Sequence, residues 1–267
     1  MELTGRAAEV IAIVPARGGS KSLPRKNVRR LAGFPLVAWS IAAARASRRV
    51  SRVIVSTDDP EIRDVALASG AEVPFLRPAD LARDDTLDLP VFVHALEWLD
   101  RVEGYRPDLV VHLRPTSPLR PAGLVDEAVA QLASRPDADS LRAVCPAPQT
   151  PYKMWRASGG YLAPLLSDAP KEAYNRPRQS LPPVFWQTGH LDAMWRETIL
   201  VRRSMTGERI LPLVVDTAYA VDIDTEVQWA FAEWLAGRGG LDLARPRRHR
   251  KFPRPSRCRH PHGSYCP

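Results

Sequence analysis

Several things are scarce in this 267-residue sequence, and each scarcity closes a route. Cysteine occurs three times, as Cys145, Cys258 and Cys266, too few for a disulfide framework and in keeping with a reducing, cytoplasmic setting. No apolar run approaches the roughly 18 residues that cross a bilayer. The first such run, residues 10–14, is too short for a secretory leader and precedes no small-residue cleavage site. No segment recurs at a fixed period, which excludes a solenoid.

Net charge is also scarcer than the total of +8 suggests. Of 38 Lys and Arg, eight lie beyond the last acid, Asp242: Arg245, Arg247, Arg248, Arg250, Lys251, Arg254, Arg257 and Arg259. The remaining 30 match the 30 Asp and Glu, so the body is formally neutral. A nucleic-acid surface needs a clustered basic face, and this balance argues against one. The segment 244–267 holds many Arg, Pro and His residues and few apolar ones, so it is expected to remain disordered. Its Cys258, His260, His262 and Cys266 match no common zinc spacing and are read as incidental.

What is present is an alternation of strand and helix patterns. Residues 10–14 form a continuous apolar strand that ends in Gly, Ser and Pro punctuation. A helix over 36–46 and a strand at 53–55 complete a βαβ unit. Asp58 or Asp59 caps the next helix with Pro60 in its first turn, running to about Ser69. A strand at 72–76 follows. Then Leu89, Phe92, Leu96 and Leu99 mark one helix face, and residues 109–113 a further strand. A Pro-rich turn over 114–121 leads into a helix through Leu132. From 146 to 183 the alternation fails, which predicts an excursion forming a lid or dimer arm. A strand near 211–215, a strand-like segment at 221–224 and a helix over 226–235 close the domain, 1–243. The pattern implies an α/β fold with a mostly parallel sheet covered by helices.

The main chemical signal is the loop after the first strand, Val14-Pro15-Ala16-Arg17-Gly18-Gly19-Ser20-Lys21, continuing to Pro24-Arg25-Lys26-Asn27. A loop at the carboxyl end of such a strand borders the ligand crevice of an open sheet. Paired glycines admit phosphate oxygens to backbone N–H groups, Ser20 adds a hydroxyl, and Arg17, Lys21 and Lys26 offset negative charge. The spacing is that of neither a Walker loop nor a dinucleotide fingerprint.

This run, together with Ser56-Thr57-Asp58-Asp59, residues 77–82, Arg114-Pro115-Thr116-Ser117-Pro118-Leu119-Arg120 and Val221-Asp222-Ile223-Asp224, in that order, resembles the acylneuraminate cytidylyltransferase family across roughly residues 10–236. The resemblance implies a three-layer, Rossmann-like nucleotidyltransferase fold with an inserted dimerisation or lid segment, CTP as the nucleotide, Mg²⁺ as cofactor, a small acidic sugar as acceptor and a homodimer. Carried over residue by residue, Arg17, Gly18, Gly19, Ser20, Lys21, Lys26, Asn27 and Arg77 match nucleotide-binding positions, with Arg17 and Lys21 also catalytic. Asp222 and Asp224 match the catalytic metal pair. Two aspartates spaced by one residue on an extended segment share a face and offer hard oxygen, although such a pair also serves to cap a following helix.

The acceptor side departs from the family. Arg178 and Thr188 match acceptor positions, but Gln187-Thr188-Gly189-His190 replaces the usual Asn-Gly block, and Arg114 stands where many members have Gln. An arginine grips a carboxylate bidentately as glutamine cannot. His190 is read as structural. An N-acylneuraminate or related nonulosonate is the expected acceptor, with a 3-deoxy-octulosonate or a phosphonate as alternatives, and a non-catalytic nucleotide-binding protein as the rival from another class.

Overall fold

In the computed structural model, residues 8–247 are described. The Cys258, His260, His262 and Cys266 group and nearly all of the basic tail lie outside them. The chain runs β1 (Val10–Pro15), a small ribbon of β2 (Arg30–Leu31) and β3 (Phe34–Pro35), α1 (Leu36–Ala46), β4 (Arg52–Ser56), α2 (Pro60–Ala68) and α3 (Asp88–Glu103). It continues through β5 (Leu109–His112), α4 (Leu124–Ala133), β6 (Ser140–Pro146), β7 (Trp155–Ser158), β8 (Tyr161–Pro164), β9 (Phe185–Trp195), α5 (Arg196–Leu200), β10 (Ile210–Val214) and α6 (Glu226–Arg238).

Six strands form one sheet in the order β10-β6-β9-β5-β1-β4. All neighbours are parallel except β9, which runs antiparallel to both β5 and β6. Because β1, β4 and β5 are buried on both faces, they read as unbroken Val/Ile/Leu runs. Val10, Ala12 and Val14 pack against α1, α2 and α4 on one side. Ile11 and Ile13 meet Phe92, Leu96 and Leu99 of α3 and Ile199 of α5 on the other. The result is the expected three-layer α/β arrangement. A third cluster joins α6, through Trp229, Ala232 and Leu235, to Leu31 and Trp39.

Two expected strands are absent. Residues 72–76 contribute a single bridge, Ile54 with Glu72. Glu72 donates to the Val53 carbonyl and accepts from the Val55 N–H. The next rung needs an N–H at position 74, which is proline and has none. Residues 221–224 likewise join no strand; the Ile223 N–H donates to the Thr116 carbonyl instead, at 2.8 Å.

The excursion begins where β6 ends. It holds the hairpin β7–β8, turned at Gly159-Gly160 with both φ positive, and short 3₁₀ turns. Every residue of β7 and β8 is exposed.

Candidate active site

The sheet order reverses beside β1: the chain leaves β1 for β4 on one side and later returns to β5 on the other. Such a switch point opens a crevice past the carboxyl ends of the two strands. The loops after β1 and β5 both empty into it. There they line a cavity of about 420 Å³ with Arg17, Ser20, Lys21, Lys26, Asn27, Arg77, Arg83, Asp88, Arg114, Thr116 and Asp224 among its walls. Six of its lining side chains are cationic and two are carboxylates, a balance suited to a polyanion. A larger hollow of about 690 Å³ lies beneath the β7–β8 hairpin and contains none of these residues.

The loop after β1 is held by local bonds. The Gly18 N–H donates to Asp58 Oδ1 at 3.0 Å, and a Cβ on Gly18 would stand 2.7 Å from Asp59 Oδ2, so only glycine permits this approach. Asp59 is the cap residue of α2, accepting from the Glu61 and Ile62 N–H groups. Gly19 faces open space. Asn27 Nδ2 donates to the Arg17 carbonyl at 2.9 Å, so Asn27 also fixes the backbone of Arg17.

Asp84 is a residue that sequence reasoning passed over. It pairs with Arg17 at 2.5 Å and with Lys21, and these two, Lys21 foremost, hold its carboxyl below the usual range. It belongs to the polar loop after the 77–82 block, and an acid following that block was the one available signal.

Lys26 is buried and reaches the acidic doublet. Its Nζ donates to the Ile223 carbonyl at 2.8 Å and to Asp224 Oδ1 at 3.0 Å. Asp222 accepts from Ser117 Oγ at 3.4 Å and is not among the cavity walls. Arg17, Lys21 and Asp224 thus share one cavity. Capping of α6 is done by Thr225 with Gln228 in a reciprocal capping box, so neither aspartate side chain is spent on that task.

Arg77 lines the cavity but is largely engaged by its own scaffold, donating through Nε to Ser56 Oγ at 3.1 Å and through Nη2 to the Ser56 carbonyl. Burial lowers its pKa to about 10, which leaves it charged at neutral pH. Arg120 is fully buried and donates to the carbonyls of His190 and Arg114 and to Ser40 Oγ. It ties the loop after β5 to β9.

Of the expected acceptor residues, Arg114 alone lines the cavity. Thr188 is buried and donates to the Ala143 carbonyl. Gln187 accepts from Arg142 at 3.0 Å. Arg178 lies in a separate hollow with Lys153 and Met154, donating to the Ala147 and Pro148 carbonyls. The family-derived positions therefore do not converge on this crevice within one chain, because the excursion carries Arg178 away from it.

His190 is buried, with Nε2 2.9 Å from the Tyr219 carbonyl, a structural placement. Burial, reinforced by Arg120, lowers its pKa to about 4. The folded protein therefore favours the neutral ring, and stability is lost progressively as pH falls from the ordinary histidine value of about 6.5 toward 4. A thermal-denaturation series over that window should show a loss that His190→Gln reduces; an identical slope in the variant would refute the assignment.

The chain is similar to known proteins. The profile of the Cytidylyltransferase family matches residues 11–154. Over 230 residues the chain is 34% identical to the CMP-N,N'-diacetyllegionaminic acid synthase of Legionella pneumophila, covering 85% of this chain and 95% of that one. It is 29% identical over 242 residues to the N-acylneuraminate cytidylyltransferase of Oncorhynchus mykiss, covering 89% of this chain and 52% of that one. The structure of a CMP:2-keto-3-deoxy-manno-octonic acid synthetase complexed with CTP superposes with a TM-score of 0.64 at 16% identity, over 86% of this chain and 99% of that one, a likeness of fold. With the family profile spanning β1 through β6 and a third of the aligned residues shared with a relative along nearly that relative's whole length, the chain belongs to the cytidylyltransferase family and is a nucleotidyltransferase enzyme.

Proposed function

We propose that the protein transfers CMP from CTP to the hydroxyl of an acidic 2-keto sugar, an N-acylneuraminate or related nonulosonate, and releases pyrophosphate. The observation that carries this reading is the single crevice in which Arg17, Lys21 and Lys26 stand at one wall, Asp224 beside them and Arg114 beyond. The relatives named for diacetyllegionaminic and N-acylneuraminic acids supply the acceptor class.

In this reaction the acceptor hydroxyl oxygen attacks the α-phosphorus of CTP in line, and the hydroxyl proton is released to water. The bond from that phosphorus to the β-phosphate bridging oxygen breaks, and its electron pair leaves with pyrophosphate. Ser20 borders the phosphates while Gly18, its N–H committed to Asp58, and Gly19 shape the loop that presents it; Arg17 and Lys21 offset the charge that grows on the leaving group, an interaction strongest in the transition state. Lys26 holds Asp224 in place and contributes positive charge at the same wall. Asn27 and Arg77 keep the two flanking loops in register with the nucleotide.

Asp222 and Asp224 would hold Mg²⁺. A magnesium ion takes one or two carboxylates plus substrate phosphates; Asp224 stands in the crevice wall, and Asp222 is two residues before it. When bound, the ion supplies Lewis-acid polarisation of phosphate oxygens and lowers the pKa of a coordinated hydroxyl. We further propose a homodimer in which the excursion over 146–183 brings Arg178 to the partner's crevice, and a cytoplasmic location. No helix among the described residues is long and apolar enough to cross a membrane.

The test is incubation with CTP, MgCl₂ and separately N-acetylneuraminic acid, N,N'-diacetyllegionaminic acid and 3-deoxy-octulosonic acid, with mass detection of the CMP conjugate. A conjugate with a nonulosonate is expected; a conjugate with none of the acids defeats the reading. Asp224→Asn should lower pyrophosphate release at least about 10²-fold, the scale of losing a preorganised electrostatic partner at the reacting phosphate. Chelator should stop turnover and excess Mg²⁺ should restore it.

A further inference from the structure

Beyond the phosphate wall, a cluster of charges stands where three strands meet. His112 of β5, Asp192 of β9 and Arg142 of β6 are direct cross-strand partners, so their side chains stand on one face of the sheet at one level. Arg114, two residues past His112, bends back over them. Its Nη1 donates to Asp192 Oδ2 at 2.8 Å and its Nη2 to Asp88 Oδ2 at 3.1 Å. Arg142 donates to Asp192 Oδ1 at 2.7 Å and Oδ2 at 3.3 Å.

The two carboxylates are not equivalent. The Asp192 side chain is 3% exposed and clamped between two guanidinium groups, whereas that of Asp88 is 40% exposed and lines the crevice. His112 lies 4.0 Å from Asp192 with neither ring nitrogen hydrogen-bonded, and burial holds it neutral. The cluster is therefore two cations against two anions. Burial pulls the Arg114 pKa down, but Asp192 and Asp88 outweigh it and raise it above the ordinary arginine value. An unpaired arginine at this depth would be costly, and a free one would sample many rotamers.

We propose that Asp192 is a positioning residue for the acceptor: it holds Arg114 in the orientation that receives the acceptor's carboxylate, and Asp88 occupies in the free protein the N–H that this carboxylate takes. The inference rests on the proposed function. Two of the five N–H groups of Arg114 are committed to Asp192 and Asp88, and exchanging the exposed Asp88 for a substrate carboxylate conserves charge balance while Asp192 stays in place. Sequence alone points to Arg114; Asp192 becomes visible only through the strand register.

The experiment measures KM for N,N'-diacetyllegionaminic acid and for CTP, with kcat, in the full-length wild type and in Asp192→Asn, Arg114→Gln, the double variant and Asp88→Asn. Asp192→Asn should raise the acceptor KM about tenfold, the scale of a lost charge-assisted contact, with CTP KM changed less than about twofold. Because Asp192 acts through Arg114, the double variant should be no worse than Arg114→Gln alone. Asp88→Asn should lower the acceptor KM by about threefold, since a competing carboxylate is removed. Parallel rises in both KM values, multiplicative losses in the double variant, or an unchanged acceptor KM each overturn the proposal. If Asp192→Asn fails to fold, Asp88→Asn decides, and an acceptor KM equal to or above that of the wild type is fatal. A wild type that makes no conjugate with any acid defeats the functional reading and this inference together, whereas wild-type turnover with unaltered variants defeats this inference alone.

Discussion

Arg17→Ala is expected to lower kcat/KM for CTP by about 10²–10³-fold, most of it in kcat, as removal of a preorganised donor to developing charge does in comparable sites. The loop residue is poorly placed to matter for stability: its side chain is 31% exposed and its partner Asp84 lies at the surface, so the melting temperature should barely change. Asn27 fixes the Arg17 backbone, and the guanidinium pairs with Asp84 rather than with the core, so it is free to exchange that carboxylate for phosphate. Arg17→Lys should recover only part of the loss, because a point charge does not reproduce the planar fork. Steady-state kinetics with variable CTP at saturating acceptor, alongside a thermal melt, is the measurement. A folded Arg17→Ala protein that retains a third or more of wild-type kcat would remove Arg17 from the reacting centre.

Gly189→Ala is expected to destabilise the protein by about 2–4 kcal/mol, combining a left-handed backbone cost of roughly 1–2 kcal/mol with overpacking of similar size. Gly189 has φ +73°, and a Cβ there would stand 2.6 Å from Ser117 Oγ. The strand explains why. Arg142 pairs with Asp192 and Val144 with Gln187, so one intervening residue of β6 faces four of β9. That bulge needs a residue with positive φ, and glycine takes it without strain. Ser117 in turn donates to the Thr188 carbonyl at 2.9 Å and to Asp222, so displacing its hydroxyl also disturbs the acidic doublet. For a chain of this size the loss corresponds to a fall of roughly 5–15 °C in melting temperature. Activity should fall even well below the melting point. Replacing Ser117 with Ala in the Gly189→Ala background should return about 1 kcal/mol, the overpacking part, and leave the backbone part. A Gly189→Ala protein that melts with the wild type would contradict the strained-bulge account.

Much of this site was readable from local pattern. The strand-loop unit carrying Arg17 to Asn27, the cap at Asp59 and the helix faces of α3 are set by neighbours a few residues apart. Position 74 shows the limit of such reading: Glu72 to Leu76 looks like a strand by composition, and one missing N–H ends its ladder after a single rung. The acidic doublet is similar. Its residues were identified, but their surroundings depend on Lys26 and Ser117, some 198 and 105 residues away in the chain. Asp84 and Asp192 carry no motif of their own; what marks them is whom they face.

The sequence by itself determined the α/β class and the cation-bearing loop after β1, because periodicity, capping and glycine spacing act over one or two turns of chain, and its ordered motifs carried the resemblance to a nucleotide-activating family. Only the tertiary structure decided that β9 runs backwards between β5 and β6, that a glycine bulge resets its register, and that Asp192 therefore stands between Arg114 and Arg142. Cross-strand partnership is a property of register between segments tens of residues apart, and a shift by one residue would turn every one of those side chains to the opposite face.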